Sequence, residues 1–532
     1  MNAPAVVMLL LLASSAQATN YYIHYTNGSD SNPGKSTAAP WKTIGKVNGV
    51  TFAFGDVIAF ARGEVWSGTT LVCDNNGAVA NGVTDFITYT AYGTALANPV
   101  ITNPGGYSNN IAPPYLGTNI IITTLKRGIV IDANWVKVEN FLIRNVNEAG
   151  VYIVDWNNKG NSNVVQNCEV TDCGEGIKTS GNENPVSGQC NLIRSNYLHD
   201  LRIQRATAGG SDDTGAVGID IQSSRNEVAC NRMINCRAAC ADFGGFDGGA
   251  LEFFNGSGNY TDGNYIHHNY AENCEGFVEV GGNVAGSRCN DSVFAYNVSV
   301  NNYGDLCFLH LPGDPSWGVD VNNLQFNNNT IYDTTPGTGW FIATNGDSLN
   351  GTTPRIVLMN NIFYSTNKAI TYGQNALKIN NRYNIFFRTD GGTLEITPGE
   401  GDKTVDPQFV NASGKDFHLK SISPAIDAGI NLNYPLDFDG KLVPRGATTD
   451  MGAYEYHISQ ALRLSPCTWL AGGRIQFTLS GDSGFCYDIQ ASSNFLTWQE
   501  ITNVPNYNGS VLVVDGGAQS QPRRFYRAAL GP

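Results

Sequence analysis

The sequence predicts an all-β solenoid of stacked coils of short parallel strands, followed by a smaller β-rich segment. Three observations predict it. An apolar strand closed by an Asn turn recurs along most of the chain. The recurring segments are four to six residues long, rich in Val, Ile, Phe and Tyr, and too short and unperiodic for helices. Gly accounts for 60 of 532 residues while only 15% are charged, a composition of many turns and few amphipathic helices.

The chain opens with MNAPAVVMLLLLASSAQATN. Its apolar stretch Val6 to Leu12 is too short to span a membrane, and Ala16-Gln17-Ala18 forms a small-residue cleavage site. Residues 1–18 are therefore expected to be a signal peptide removed after Ala18. The mature protein is expected to be secreted, extracellular or periplasmic. Net charge is −14, which argues against nucleic acid or an anionic membrane as the main partner. No later segment reads as transmembrane, and a monomer is expected.

The Asn turns follow at Asn140, Asn167, Asn196, Asn231, Asn269, Asn297, Asn329, Asn361 and Asn384. They lie 23 to 38 residues apart, a variable period in which insertions map to loops. Three short strands and three turns need about this many residues. Stacked coils repeat at about 4.8 Å, so a recurrent Asn can build a ladder of amide hydrogen bonds and tolerate left-handed backbone. Nine of the twelve Cys, Cys168 to Cys307, fall in these coils and are expected as small stacking residues or disulfides rather than metal ligands. Cys467 and Cys486 are expected to pair. N-x-S/T sequons at Asn255 and Asn290 depend on the host for use.

Three stretches carry a resemblance to a known group. They are the opening YYIHYTNGSDSNPGKSTAAPWKTI, the Asn-turn coils, and the ending VDPQFVNASGKDFHLKSISPAIDAG…DFDGKLVPRGATTDMGAYEY. Together they resemble the secreted right-handed parallel β-helix proteins of polysaccharide lyases and some glycoside hydrolases, the pectin-lyase-like fold. The resemblance covers roughly residues 20–457 and implies a carbohydrate-active enzyme acting on an extracellular polysaccharide. It is specific for fold and weak for reaction. The expected organisation is a β-helix over 19–457 and an accessory domain over 458–532. The latter is similar to small C-terminal β-sandwiches of other secreted enzymes.

Aligning the strand after each Asn turn gives a column: Tyr152 in GVYIV, Lys178 in GIKTS, Asp220 in GIDIQ, Glu252 in ALEFF, Glu279 in FVEVG and His310 in LHL. Each lies beside apolar neighbours, so strand alternation places it outward. A generally polar outer face is the competing explanation. Adjacent carboxylates at inter-strand spacing raise at least one pKa, which favours a functional origin. The insertion after Asp200 and the loop after His310 are expected to wall a groove. Tyr152, Tyr303, Trp317 and Trp340 are candidate sugar platforms, Trp317 first. His267 and His268 read as structural.

Two chemistries fit. In a hydrolase, which needs no cofactor, Glu252 is expected as nucleophile and Glu279 as acid/base; adjacent rungs suit retention. Pairing Asp220 with Glu279, two rungs apart, points instead to inversion. In a lyase, Asp220, Glu252 and Glu279 hold Ca²⁺, which acidifies the C5 proton of a uronate; Lys178, His310 or Tyr152 abstracts it. DGGALEFF…GFVEVGG is similar in layout to the core of β-helix pectate and alginate lyases. Those families commonly carry Lys or Arg where this chain has Glu279, a departure that favours hydrolysis. A non-catalytic adhesive β-helix is the alternative from another class.

Overall fold

The computed structural model describes residues 18–80, 83–107, 122–183, 186–207, 209, 213–255, 260–282, 287–303, 306–311, 319–344, 355–371, 378–457, 461–482, 485–506, 509–520 and 523–530. The expected signal peptide and Trp317 thus lie almost entirely or entirely outside the described residues. The chain divides into two compact units, Met1–Val405 and Asp406–Pro532.

The first unit is the expected right-handed parallel β-helix. Each coil contributes a strand to three faces. One face is a twelve-stranded parallel sheet running from Asn20–Ile23 to Ile379–Arg382. The other two faces merge into a single sheet, because strands such as Leu142–Ile153 and Glu169–Ser180 continue around the corner between them. Neighbouring coils pair in register, as in Val164↔Leu192 and Val170↔Leu198. In parallel sheets buried on the inner side, like packs on like. Phe253, Phe277, Phe294, Phe308, Phe326 and Phe363 accordingly fill the bore, with Phe294 and Phe326 stacked at 4.7 Å. At the first coil, helix Ile44–Asn48, capped by the Thr43 hydroxyl, buries Ile44 and Val47 in the same core.

The Asn ladder is present, with one correction. From Asn196 through Asn231, Asn269, Asn297, Asn329 and Asn361 to Asn384, each side-chain amide and backbone N–H donates to the next Oδ1 at 2.9–3.0 Å. The second amide hydrogen of each reaches a strand carbonyl, such as Ile266 from Asn297 at 3.0 Å. Asn140 and Asn167 are not rungs of it. They take the left-handed position one residue earlier, at φ 64° and 53°, where Ser195, Cys230 and His268 stand in later coils. A second ladder, Asn163, Asn191, Asn226, Asn264 and Ser292, lines another turn.

All described cysteines are free thiols, and the expected Cys467–Cys486 pair does not form. Cys486 lies on Phe485–Ser492, central in a three-stranded antiparallel sheet, whereas Cys467 immediately precedes Thr468–Leu470, in a different four-stranded sheet. These two sheets, in the second unit, share an apolar cluster of Ile475, Phe477, Leu479, Tyr487, Ile489 and Val513. No helix among the described residues is long and apolar enough to cross a membrane.

Candidate active site

The third face carries the column. Consecutive strands pair Tyr152↔Lys178, Lys178↔Asp220, Asp220↔Glu252, Glu252↔Glu279 and Glu279↔His310. Six rungs bring together residues scattered over more than 150 positions of sequence. The file is bounded: Val72 and Val130 occupy the two rungs before Tyr152, and Ala343 the rung after His310. A merely polar face would not stop at apolar residues on both sides. The turn into this face is tight. A Cβ at Gly176 would lie 2.3 Å from Leu198 Cδ2 and 2.4 Å from the Gly218 carbonyl.

Charges along the column are compensated at its ends and not in its middle. Lys178 Nζ pairs with Asp220 Oδ2 at 2.7 Å and Glu175 Oε1 at 2.9 Å. Gln222 donates to Asp220 Oδ2 at 2.8 Å, while Asp220 Oδ1 is buried with no partner. Glu279 Oε2 lies 3.0 Å from His310 Nδ1. Glu252, between these two assemblies, has no hydrogen-bond or ion-pair partner among the described residues.

Burial, then the charges of Asp220, Glu279, Asp247 and Glu175, push the Glu252 carboxyl well above the usual carboxylate range. Burial raises Asp220 to about 6 against the opposing pull of Lys178. Lys178 is held well above its ordinary value; burial opposes this, and the Asp220 and Glu175 carboxylates overcome it. Burial also raises the Tyr152 phenol. Among the column's acids Glu252, expected from the sequence as the nucleophile, is thus the one pushed well above the carboxylate range. The Glu279 side chain is 39% exposed, against 3% for Asp220.

Two hairpins adjoin the column. One, Ile203–Arg205 with Thr214–Gly215, belongs to the insertion expected as a wall. The other, Arg237–Ala239 with Phe246–Gly248, was not legible in advance. They share an apolar contact of Ile203, Ala206 and Cys240. Asp213 joins them, accepting from the backbone N–H groups of Thr207, Ala241 and Asp242 at 2.7 Å each. The second hairpin brings Asp247, whose carboxyl burial raises well above the usual range. The only signal for it was an acid between glycines, five residues before Glu252.

Tyr303 is not in the column. Its ring lies 4.3 Å from the Arg237 guanidinium, which also covers Phe246 and pairs with Glu275. Trp340 aligns with Leu306, not His310, and its indole N–H donates to Glu395 at 3.3 Å. The loop after His310 expected as a wall, 312–318, lies outside the described residues. His267, on the twelve-stranded sheet, stacks on Tyr265 at 4.2 Å and pairs with Glu227 at 3.2 Å, away from the column.

For calcium, the donor set is unfavourable. Among the described residues no three His, Cys, Asp or Glu side chains are gathered so as to hold a metal ion. The Lys178 ammonium already supplies the cation beside Asp220.

No protein-family model matches the chain, and no curated protein matches it. Among solved structures it is similar to the GH136 lacto-N-biosidase from Eubacterium ramulus, at 14% identity over 73% of this chain and 68% of that one, TM-score 0.45. It is similar to pectate lyase Pel9A at 15% identity over 83% and 98%, TM-score 0.48. The PL6 family polysaccharide lyase Pedsa3628 from Pseudopedobacter saltans gives 11% identity over 71% and 89%, TM-score 0.40. By their names these are a biosidase and two lyases. At such identities and TM-scores they carry no argument about the reaction, which rests on the site itself.

Proposed function

We propose that this chain is a secreted carbohydrate-active enzyme that hydrolyses glycosidic bonds in a polysaccharide. Glu252 is the general acid and Glu279 the nucleophile. One observation carries the reading: an unpartnered carboxyl, pushed up in pKa, stands in register between two other acids at the centre of a bounded file. A protonated acid beside an accessible carboxylate is the pairing glycoside hydrolysis requires. Neighbouring rungs set the two strands about 4.8 Å apart, close to the roughly 5–5.5 Å between carboxyl groups that a retaining mechanism uses.

In the first step Glu252 gives its proton to the glycosidic oxygen while Glu279 attacks the anomeric carbon. The leaving chain departs as an alcohol and a glycosyl ester forms on Glu279. In the second step Glu252, now a carboxylate, takes a proton from water, which attacks the same carbon and frees Glu279. His310, 3.0 Å from Glu279 Oε2, orients that carboxylate and leaves Oε1 for attack. Lys178 and Asp220 position rather than react.

The lyase alternative asks Lys178 or Tyr152 to accept a proton from carbon, yet the raised pKa of each leaves it protonated at neutral pH. His310 is the remaining candidate base for that route. The mature protein should release reducing ends from polysaccharide without forming an unsaturated, ultraviolet-absorbing product. It should keep full activity after exhaustive EDTA treatment. An unsaturated product lost on chelation assigns the lyase instead; inactivity of the folded protein on every polymer favours the adhesive reading.

A further inference from the structure

We propose that the sugar cleaved at the Glu252–Glu279 pair is uncharged. This rests on the hydrolase reading and extends it to the substrate class. A uronate carboxylate brought into this file would lie against Glu252 and Glu279, with Asp220 one rung away, and needs a cation that is not already paired with an acid. The structure spends its nearby cations on its own acids. Lys178 is held by Asp220 and Glu175, Arg237 by Glu275, Arg127 by Glu148, and Arg225 by Glu183. Arg202 pairs with Asp172, and Arg205, on the wall hairpin, is not free. The segments following the acid-bearing strands and His310, 256–259, 283–286 and 312–318, contain no Lys or Arg in their sequence. Among the described residues named here no cation stands free to receive an anionic ring, whereas hydroxyls can donate to the carboxylates.

The experiment compares kcat/KM of the mature protein, by reducing ends, on uncharged polymers (xylan, mannan, β-glucan) and on polygalacturonate and alginate. At least a hundredfold preference for an uncharged polymer is expected. Hydrolysis of polygalacturonate or alginate at a comparable kcat/KM, with no unsaturated product, overturns the charge inference and leaves the hydrolase reading standing. An unsaturated product, or no cleavage of any polymer, overturns both.

A separate observation carries a second inference: Trp156 is a distal sugar platform. Among the described residues of the β-helix it is the one exposed tryptophan, at 57%. Its ring is braced. The Arg127 guanidinium lies 5.1 Å from the Trp156 ring and 5.0 Å from that of Tyr152, and Glu148 fixes it through two contacts, 2.5 and 2.9 Å. Tyr152 stands three rungs from Glu252, about 14 Å along the stack. A polymer lying along the column therefore reaches Trp156 beyond the ring being cleaved. Trp156→Ala should raise KM about three- to tenfold on long polymer with kcat unchanged, and leave short oligomers unaffected. Trp156→Phe should restore most of the loss. An unchanged KM on the polymer that the wild type cleaves overturns the platform without touching the catalytic assignment.

Discussion

Two files of residues run along this β-helix, and they differ in one chemical respect. The Asn ladder repeats a group that is both donor and acceptor. Each amide satisfies the next, and seven of them sit at 0–2% exposure with hydrogen bonds of 2.9–3.0 Å. The acid column repeats a group that only accepts when ionised. Its members cannot satisfy one another, so the ends borrow Lys178 and His310 and the middle is left unmatched. Stacking amplifies whatever a residue is. A self-complementary side chain becomes scaffold, and a self-repelling one stores perturbed protonation.

The largest test removes the repulsion from the column. Glu252→Gln should lower kcat by about 10²–10⁴-fold with folding intact, because the proton donor is gone. It should also raise Tm, increasingly as pH rises. A carboxyl whose folded pKa exceeds its unfolded value of about 4.3 contributes stability fully below that value, and loses it as pH climbs through the folded pKa. Gln cannot ionise and escapes the loss. Turnover near wild type, or a Tm that falls, removes Glu252 from the acid role.

The converse puts a column residue into the ladder. In Asn297→Asp a carboxylate oxygen replaces the amide that donates to Ile266 O and Asn329 Oδ1, both at 3.0 Å. Two donors vanish and a buried charge appears among acceptors. The cost should be about 3–5 kcal/mol, read by urea unfolding, and Asn297→Ala should cost about 1–3. An Asp variant as stable as the Ala variant would deny that complementarity holds the ladder.

The same chemistry explains what could be read from sequence. The register of the column was legible because Leu251 and Phe253, or Val278 and Val280, leave the intervening acid only one direction to point. Its protonation pattern was not legible. The upward push on Glu252 depends on burial and in part on Asp247, brought in by a Gly-rich hairpin. Asn140 and Asn167 misled because Asn serves both the left-handed position and the rung beside it, and spacing alone cannot separate neighbours. The ladder through Asn163, Asn191 and Asn226 went unread because Asn before a strand reads as ordinary turn chemistry.

The smallest expected effect is the most diagnostic, since it asks whether neighbours in the column feel each other. Asp220 does not touch substrate in the proposed mechanism, but after burial its charge is the largest contribution pushing the Glu252 carboxyl up. Glu279, Asp247 and Glu175 act in the same sense. Asp220→Asn removes one negative charge, so the Glu252 pKa falls and the alkaline limb of kcat/KM moves to lower pH, by about one unit. The shift has a built-in control. Asp220 itself titrates at about 6, so below that pH the wild-type carboxyl is neutral and resembles the amide. The two profiles should converge in acid and separate only as Asp220 ionises. An alkaline limb that stays put would mean that Asp220 is no more than a partner for Lys178, and that the column is a row of separate ion pairs.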